Sequence, residues 1–158
     1  MIEIITGDIL ESKDKYLLHQ TNTISNTAGG LAYSIFEKYP YANIYSNRTE
    51  QSIPGTIDIC GNGEDKRFII NMMGQVYPGP PRFPESNLDG SLIREKYFHK
   101  CLLKVANIPN LESVAMPVGI GCGLGGGEWS HYLQTIINFA KFINEKQGAI
   151  VNLYKLEI

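Results

Sequence analysis

The chain has 158 residues, with 14 Lys and Arg against 16 Asp and Glu and a formal net charge of −2. That length suits one domain with its own core, large enough to need no disulfide or metal staple. A content of 43% hydrophobic and 19% charged residues excludes a disordered tail, and the near-balanced charge excludes a general nucleic-acid coat or a polybasic membrane binder. An anionic ligand must therefore be held by something other than bulk positive charge.

Along the chain, short apolar runs of strand length alternate with stretches of helical period, the pattern of a mixed α/β domain. Ile2-Glu3-Ile4-Ile5 reads as a first strand, ending at Thr6-Gly7-Asp8. Tyr16-Leu17-Leu18 reads as a second, leading into His19-Gln20-Thr21-Asn22 and a small, polar loop that ends in Gly29 and Gly30. A helix is expected from Leu31 to Tyr39, stopped by Pro40. Two strands, residues 56–60 and 67–71, bracket Gly61-Asn62-Gly63 as a hairpin. Residues 74–84 carry four prolines, so a long loop is expected there.

Beyond that loop, Ile93, Tyr97, Cys101 and Val105 recur every four residues, one face of an amphipathic helix. Val114-Ala115-Met116-Pro117 reads as a strand. Trp129, Leu133, Ile136, Ile137, Ala140 and Ile143 mark another helix, and residues 150–156 a closing strand. The expected order is β-β-α-β-β-α-β-α-β, with helices able to cover both faces of one sheet.

Residues 119–127 read GIGCGLGGG, six glycines in nine positions between a strand and a helix. Glycine loses the most conformational freedom on folding, so this density needs a reason. Backbone N–H groups approaching a phosphate at a loop-to-helix junction supply one, without any cationic side chain. A plain linker is the competing explanation. Gly121, Gly123 and Gly126 also spell G-x-G-x-x-G, but so many glycines match that pattern almost for free, and only one strand follows. Ala28-Gly29-Gly30-Leu31-Ala32 is a second glycine-containing loop before a helix. Two such loops suggest a diphosphate clamped from both sides; two unrelated turns are the alternative.

These residues together resemble the macro domains, a family that binds ADP-ribose. The resemblance spans residues 1–158 as one domain. Its motifs are Ile5-Thr6-Gly7-Asp8-Ile9, then His19-Gln20-Thr21-Asn22 with Gly29-Gly30-Leu31-Ala32. Met116-Pro117 followed by Gly119-Ile120-Gly121-Cys122-Gly123-Leu124 and Glu128-Trp129 comes next, and Asn152-Leu153-Tyr154-Lys155-Leu156 closes the set. The fold this implies is α/β, a three-layer α/β/α macro domain with a mixed central sheet. The chain is most similar to the branch containing ADP-ribose 1″-phosphate phosphatases and terminal ADP-ribose glycohydrolases.

Carried over, the resemblance implies that Asp8 accepts from the adenine amino group beside the Ile9 backbone, and that Tyr154 flanks the base. Asn22 would contact the distal ribose. Gly29, Gly30 and Leu31 on one side, and Gly119, Ile120, Gly121, Cys122, Gly123 and Leu124 on the other, would wrap the diphosphate and that ribose. From the residues alone, Asp8 reads equally well as a helix cap, and Cys122 as a small buried side chain.

His19 is the catalytic candidate, because imidazole titrates near neutrality and the phosphatase branch assigns catalysis to a His at this position. A hydrogen-bonded structural histidine is the alternative. The glycohydrolase branch uses a Lys and an Asp where this chain has residues 72–74 (Met-Met-Gly) and Gly125, which sets a lysine-adduct mechanism against it. Glu128, the nearest acid, suits a helix's first turn. Asn71 and Gln75 frame the entry to the proline-rich loop and suit contact with the distal ribose or with water.

The expected function is binding of ADP-ribose or an ADP-ribosylated substrate, with hydrolysis; a silent ADP-ribose reader and a dinucleotide-dependent oxidoreductase domain are the alternatives. No cofactor and no metal are expected, since Cys60, Cys101 and Cys122 lack ligand spacing. No membrane or nucleic-acid partner is expected either, and a monomer is the default. The first residues show no leader pattern, and no apolar run approaches the roughly 20 residues of a bilayer span, so a cytoplasmic location is expected.

Overall fold

Leu17 and Leu18 are neighbours in sequence and both fully buried. Alternate residues of a strand face opposite sides of a sheet, so both sides of this one are covered. The computed structural model describes residues 1–156. Its strands are β1 (Ile2–Thr6), β2 (Tyr16–Asn22), β3 (Ile57–Cys60), β4 (Phe68–Gln75), β5 (Ser113–Pro117) and β6 (Ile150–Lys155). They form one sheet in the order β1-β6-β5-β2-β4-β3. Every neighbouring pair is parallel except β3 with β4, whose antiparallel register makes the expected hairpin and the sheet mixed.

Three helices, α1 (Gly30–Lys38), α2 (Ser91–Ala106) and α3 (Trp129–Gln147), complete the element order expected from the sequence. Leu18, Ile70, Met116 and Leu153 pack against Phe98 and Leu102 of α2 and Tyr132 and Ile136 of α3. On the other face Leu17, Ile69 and Ala115 pack against Ile35 and Phe36 of α1, with Tyr45 beyond them. The result is three layers, α/β/α.

Three local expectations need correction. Strand β2 does not stop at Leu18. His19 pairs with Asn71 and Gln20 with Met72 in β4, and the ladder runs on to Asn22 opposite Gln75 with a bulge after Thr21. By the same pairing β4 takes in Gly74 and Gln75, so the irregular loop begins only at Val76. In α3, Ile137 is exposed, while Tyr132 and Phe139 lie in the core; the 3.6-residue period centres the buried stripe on 132, 136, 139/140 and 143. Gly148, left-handed at φ 71°, ends that helix, its N–H bonding the Asn144 carbonyl.

The topology also fixes where a ligand fits. Adjacent strands β2 and β5 are followed by helices on opposite faces, α1 and α3. Such a reversal leaves a crevice outside the carboxyl ends of the strands, the usual ligand site of open α/β sheets.

Candidate functional site

A cleft of about 470 Å³ opens at that reversal, within the range of small-molecule sites. The end of β2 supplies His19 and Asn22 to its lining, and the first glycine loop supplies Gly29, Gly30 and Leu31. The second glycine loop adds Gly119, Ile120, Gly121, Gly123 and Leu124. The two loops touch: Leu124 Cδ1 lies 3.1 Å from where a Cβ on Gly30 would stand, and Gly30 has a left-handed φ of 57°. Both facts favour glycine there.

Within the second loop, Cys122 N–H bonds the Gly119 carbonyl, Gly126 N–H that of Gly123, and Gly127 N–H that of Gly121. Among the described residues, the N–H groups of Gly121, Gly123, Leu124 and Gly125, all residues of the cleft wall, have no backbone acceptor. Among the described residues no Lys, Arg, Asp or Glu lines the cleft. A wall of this kind suits an anion held by backbone amides rather than by ion pairs.

Four expected contacts lie outside it. Asp8 accepts the Leu10 N–H at 2.9 Å as a helix cap, and its other oxygen has no hydrogen bond among the described residues. Ile9 is buried in the core beneath α1. The Tyr154 hydroxyl donates to Asp14 at 3.1 Å. Cys122 packs toward α2 and α3, where burial, with Glu128 and Glu95 nearby, pushes its thiol up to about 11. It is a structural thiol rather than an activated one.

Asn22 is held in place from three sides. Its N–H donates to the Tyr45 hydroxyl at 2.8 Å, and its Oδ1 accepts the N–H groups of Ile24 and Ser25. Its Nδ2 makes no protein hydrogen bond among the described residues, so a donor is left on the cleft wall.

His19 is 1% exposed. Its Nε2 lies 2.5 Å from Asn71 Oδ1. Asn71 Nδ2 already donates to the Ala42 carbonyl, so Oδ1 must accept and His19 carries its proton on Nε2. Nδ1 is then a buried lone pair with no partner among the described residues. Burial lowers the imidazole pKa from 6.5 to about 4, against a smaller upward pull from the Asn71 hydrogen bond. The ring is neutral at pH 7. Asn71 itself is fully buried and is not among the residues that line the cleft, whereas the sequence suggests contact with the distal ribose or with water.

Four contributors, Tyr45, Gln20, Asp89 and Arg94, have no individual role assigned from the sequence. Tyr45 lines the cleft and braces Asn22. Gln20 donates to Gln75 Oε1 at 2.7 Å, and Gln75 donates onward to the Tyr77 carbonyl. Asp89 and Arg94 form a buried pair at 2.6 Å behind the second loop. One signal for Arg94 exists: it heads the row Arg94, Phe98, Leu102, all buried on α2.

Glu128 stands at the N-cap of α3 without a capping hydrogen bond from its side chain, and exposed His131 pairs with Glu95. Among the described residues no group of three or more His, Cys, Asp and Glu side chains is placed to hold a metal, and no helix is long and apolar enough to cross a membrane.

No protein-family model matches the sequence, and no curated protein matches it. Solved structures do. The macrodomain of Mycobacterium tuberculosis DarG is 21% identical with a TM-score of 0.74, the match covering 98% of this chain and 97% of that one. The macrodomain of Thermus aquaticus DarG is 23% identical with a TM-score of 0.72, covering 98% of each. A Trypanosoma brucei macrodomain in complex with ADP-ribose is 14% identical with a TM-score of 0.70, covering 97% of this chain and 62% of that one.

Proposed function

The chain has the macrodomain fold, and from that premise we propose that its cleft binds ADP-ribose or an ADP-ribosylated group. One observation carries this reading: four residues of the second glycine loop line a cleft without charged side chains, and among the described residues their N–H groups have no backbone acceptor. A bridging diphosphate supplies the missing acceptors. Asn22 Nδ2 is a donor for a hydroxyl of the distal ribose, and the first glycine loop closes the other side. The adenine extends out of the cleft toward Asp8, whose free carboxylate oxygen accepts from an exocyclic amino group, with Ile9 and Tyr154 near the base. Titration of the chain with ADP-ribose, beside Gly123→Val, tests the reading; equal affinity for the two proteins contradicts it.

Hydrolysis is the second reading, in the manner of the phosphatase and terminal glycohydrolase branch. The His19 Nδ1 lone pair favours it. A neutral imidazole with a pKa of about 4 orients a water or accepts a proton; it is not a general acid at neutral pH. The loop amides would stabilise charge developing on a leaving phosphate or ribosyl oxygen. A lysine adduct has no support, since no lysine lines the cleft among the described residues. Phosphate release from ADP-ribose 1″-phosphate, compared with His19→Ala, separates a hydrolase from a reader. A monomer acting on small or protein-attached ADP-ribose in the cytoplasm is the setting this proposal assumes.

A further inference from the structure

Arg94 lies in the first turn of α2, outside the ligand cleft, and is 2% exposed. All five of its N–H groups are used. Nε and Nη2 grip the two oxygens of Asp89, at 3.0 and 2.6 Å. Nη2 also reaches the Tyr77 carbonyl at 3.1 Å, and Nη1 reaches the carbonyls of Gly79 at 2.7 Å and Gly125 at 3.0 Å. Asp89 is equally saturated, since its oxygens also accept the N–H groups of Val76 and Tyr77 at 2.7 and 3.0 Å. One buried ion pair thus ties the start of α2 to the exit of β4 and to the second glycine loop. Gln75, which donates to the same Tyr77 carbonyl, connects that knot to Gln20 beside the cleft.

A buried ion pair is poor evidence for stability, because desolvating both charges offsets much of their attraction. What this one does is choose a backbone geometry. Residues 125–127 are three glycines in a row, and such a run turns its peptide planes over at little cost. A Gly125 carbonyl turned into the cleft would repel a phosphate; here it accepts from Arg94 Nη1 instead. The neighbouring N–H groups of Gly123, Leu124 and Gly125 are then left for the cleft. The proline-rich loop forms the backing: a Cβ on Gly126 would stand 2.7 Å from Pro80.

We propose that Arg94, oriented by Asp89, is the positioning residue that holds the second glycine loop in its anion-receiving conformation. The inference rests on the binding reading above in its ligand, but not in its test. Arg94→Lys keeps the cation beside Asp89 and has three donors in place of five, too few to hold Asp89 and three carbonyls. In the free protein, the amide resonances of Gly123, Leu124 and Gly125 should shift or broaden in Arg94→Lys, while those of α1 stay in place. Affinity for ADP-ribose should fall at least tenfold, and affinity for AMP, which ends short of the distal ribose, less than threefold.

Loss of both affinities in equal proportion, or unmoved loop resonances, would overturn the proposal. If Arg94→Lys does not fold, Asp89→Asn, which removes the carboxylate orienting Arg94, carries the same expectations. A wild-type chain that fails to bind ADP-ribose refutes the binding reading alone, because the resonances of the free loop still decide the role of Arg94.

Discussion

His19 and Asn71 face each other across the parallel β2–β4 ladder, their side chains joined at 2.5 Å beneath the cleft. The pairing fixes the tautomer of the imidazole and leaves Nδ1 as a lone pair, while burial, against a smaller upward pull from Asn71, holds the ring neutral. It also makes the stability of the fold depend on pH.

The unfolded chain protonates His19 at about its ordinary 6.5, the folded chain only at about 4. Between those values the unfolded state binds the extra proton. The stability His19 contributes is therefore present above pH 6.5 and is lost as pH falls toward 4, on the order of 3 kcal/mol for a shift of this size. Urea denaturation of the wild type and His19→Leu at pH 7 and pH 4.5 checks this. The wild type should lose more stability than the variant on acidification; parallel losses would contradict it.

Two glycines of the same loop should respond in opposite ways. Gly123 has no atom within 4 Å of an added Cβ and no left-handed φ, so Gly123→Val should fold with a stability change below about 0.5 kcal/mol while weakening ligand binding. Gly121 has φ 78°, and an added Cβ would stand 2.5 Å from the Tyr132 ring. Gly121→Ala should cost about 1–3 kcal/mol in strain and overpacking. Thermal unfolding of both, followed by titration of the folded one, reads the contrast.

Tyr45→Phe removes the hydroxyl that accepts the Asn22 N–H and leaves a buried donor unpaired, at about 1–3 kcal/mol. Because Asn22 stands on the cleft wall, affinity for ADP-ribose should fall as well. Restored stability without restored affinity in a second-site revertant would separate the two effects; full wild-type behaviour of Tyr45→Phe on both counts would contradict the bracing role.

At Asp8, cap and ligand contact can be parted. Serine also caps, so Asp8→Ser should leave the stability of the fold unchanged. Losing the carboxylate should lower affinity for ADP-ribose several-fold and leave affinity for ribose 5-diphosphate, which lacks adenine, unaltered. Equal losses for both ligands would place the adenine elsewhere.

The order of elements was legible because it rests on local pattern: a short apolar run at Tyr16, Leu17 and Leu18, and a four-residue recurrence at Ile93, Tyr97, Cys101 and Val105. So were the glycine loops, where composition alone is abnormal. The rest depended on partners distant in sequence. His19 reads as the end of a strand until Asn71 pairs with it from 52 positions away. Asp8 satisfies either a cap or a ligand, and only the fold shows the cap being used. Nothing local to Asp89 marks it as half of a buried pair with Arg94, because such a pair differs from an exposed one only in what surrounds it. Ile137 marks the limit of period counting, where one position of rotation separates core from solvent.

In the proposed function, this cleft selects the diphosphate and free distal ribose of ADP-ribose rather than a dinucleotide in general. Isothermal titration of the full chain with ADP-ribose and with NAD tests it most directly. Binding of ADP-ribose at one site per chain, at least tenfold tighter than NAD, is the result expected. Tighter binding of NAD, or no heat of binding with ADP-ribose, would contradict the account.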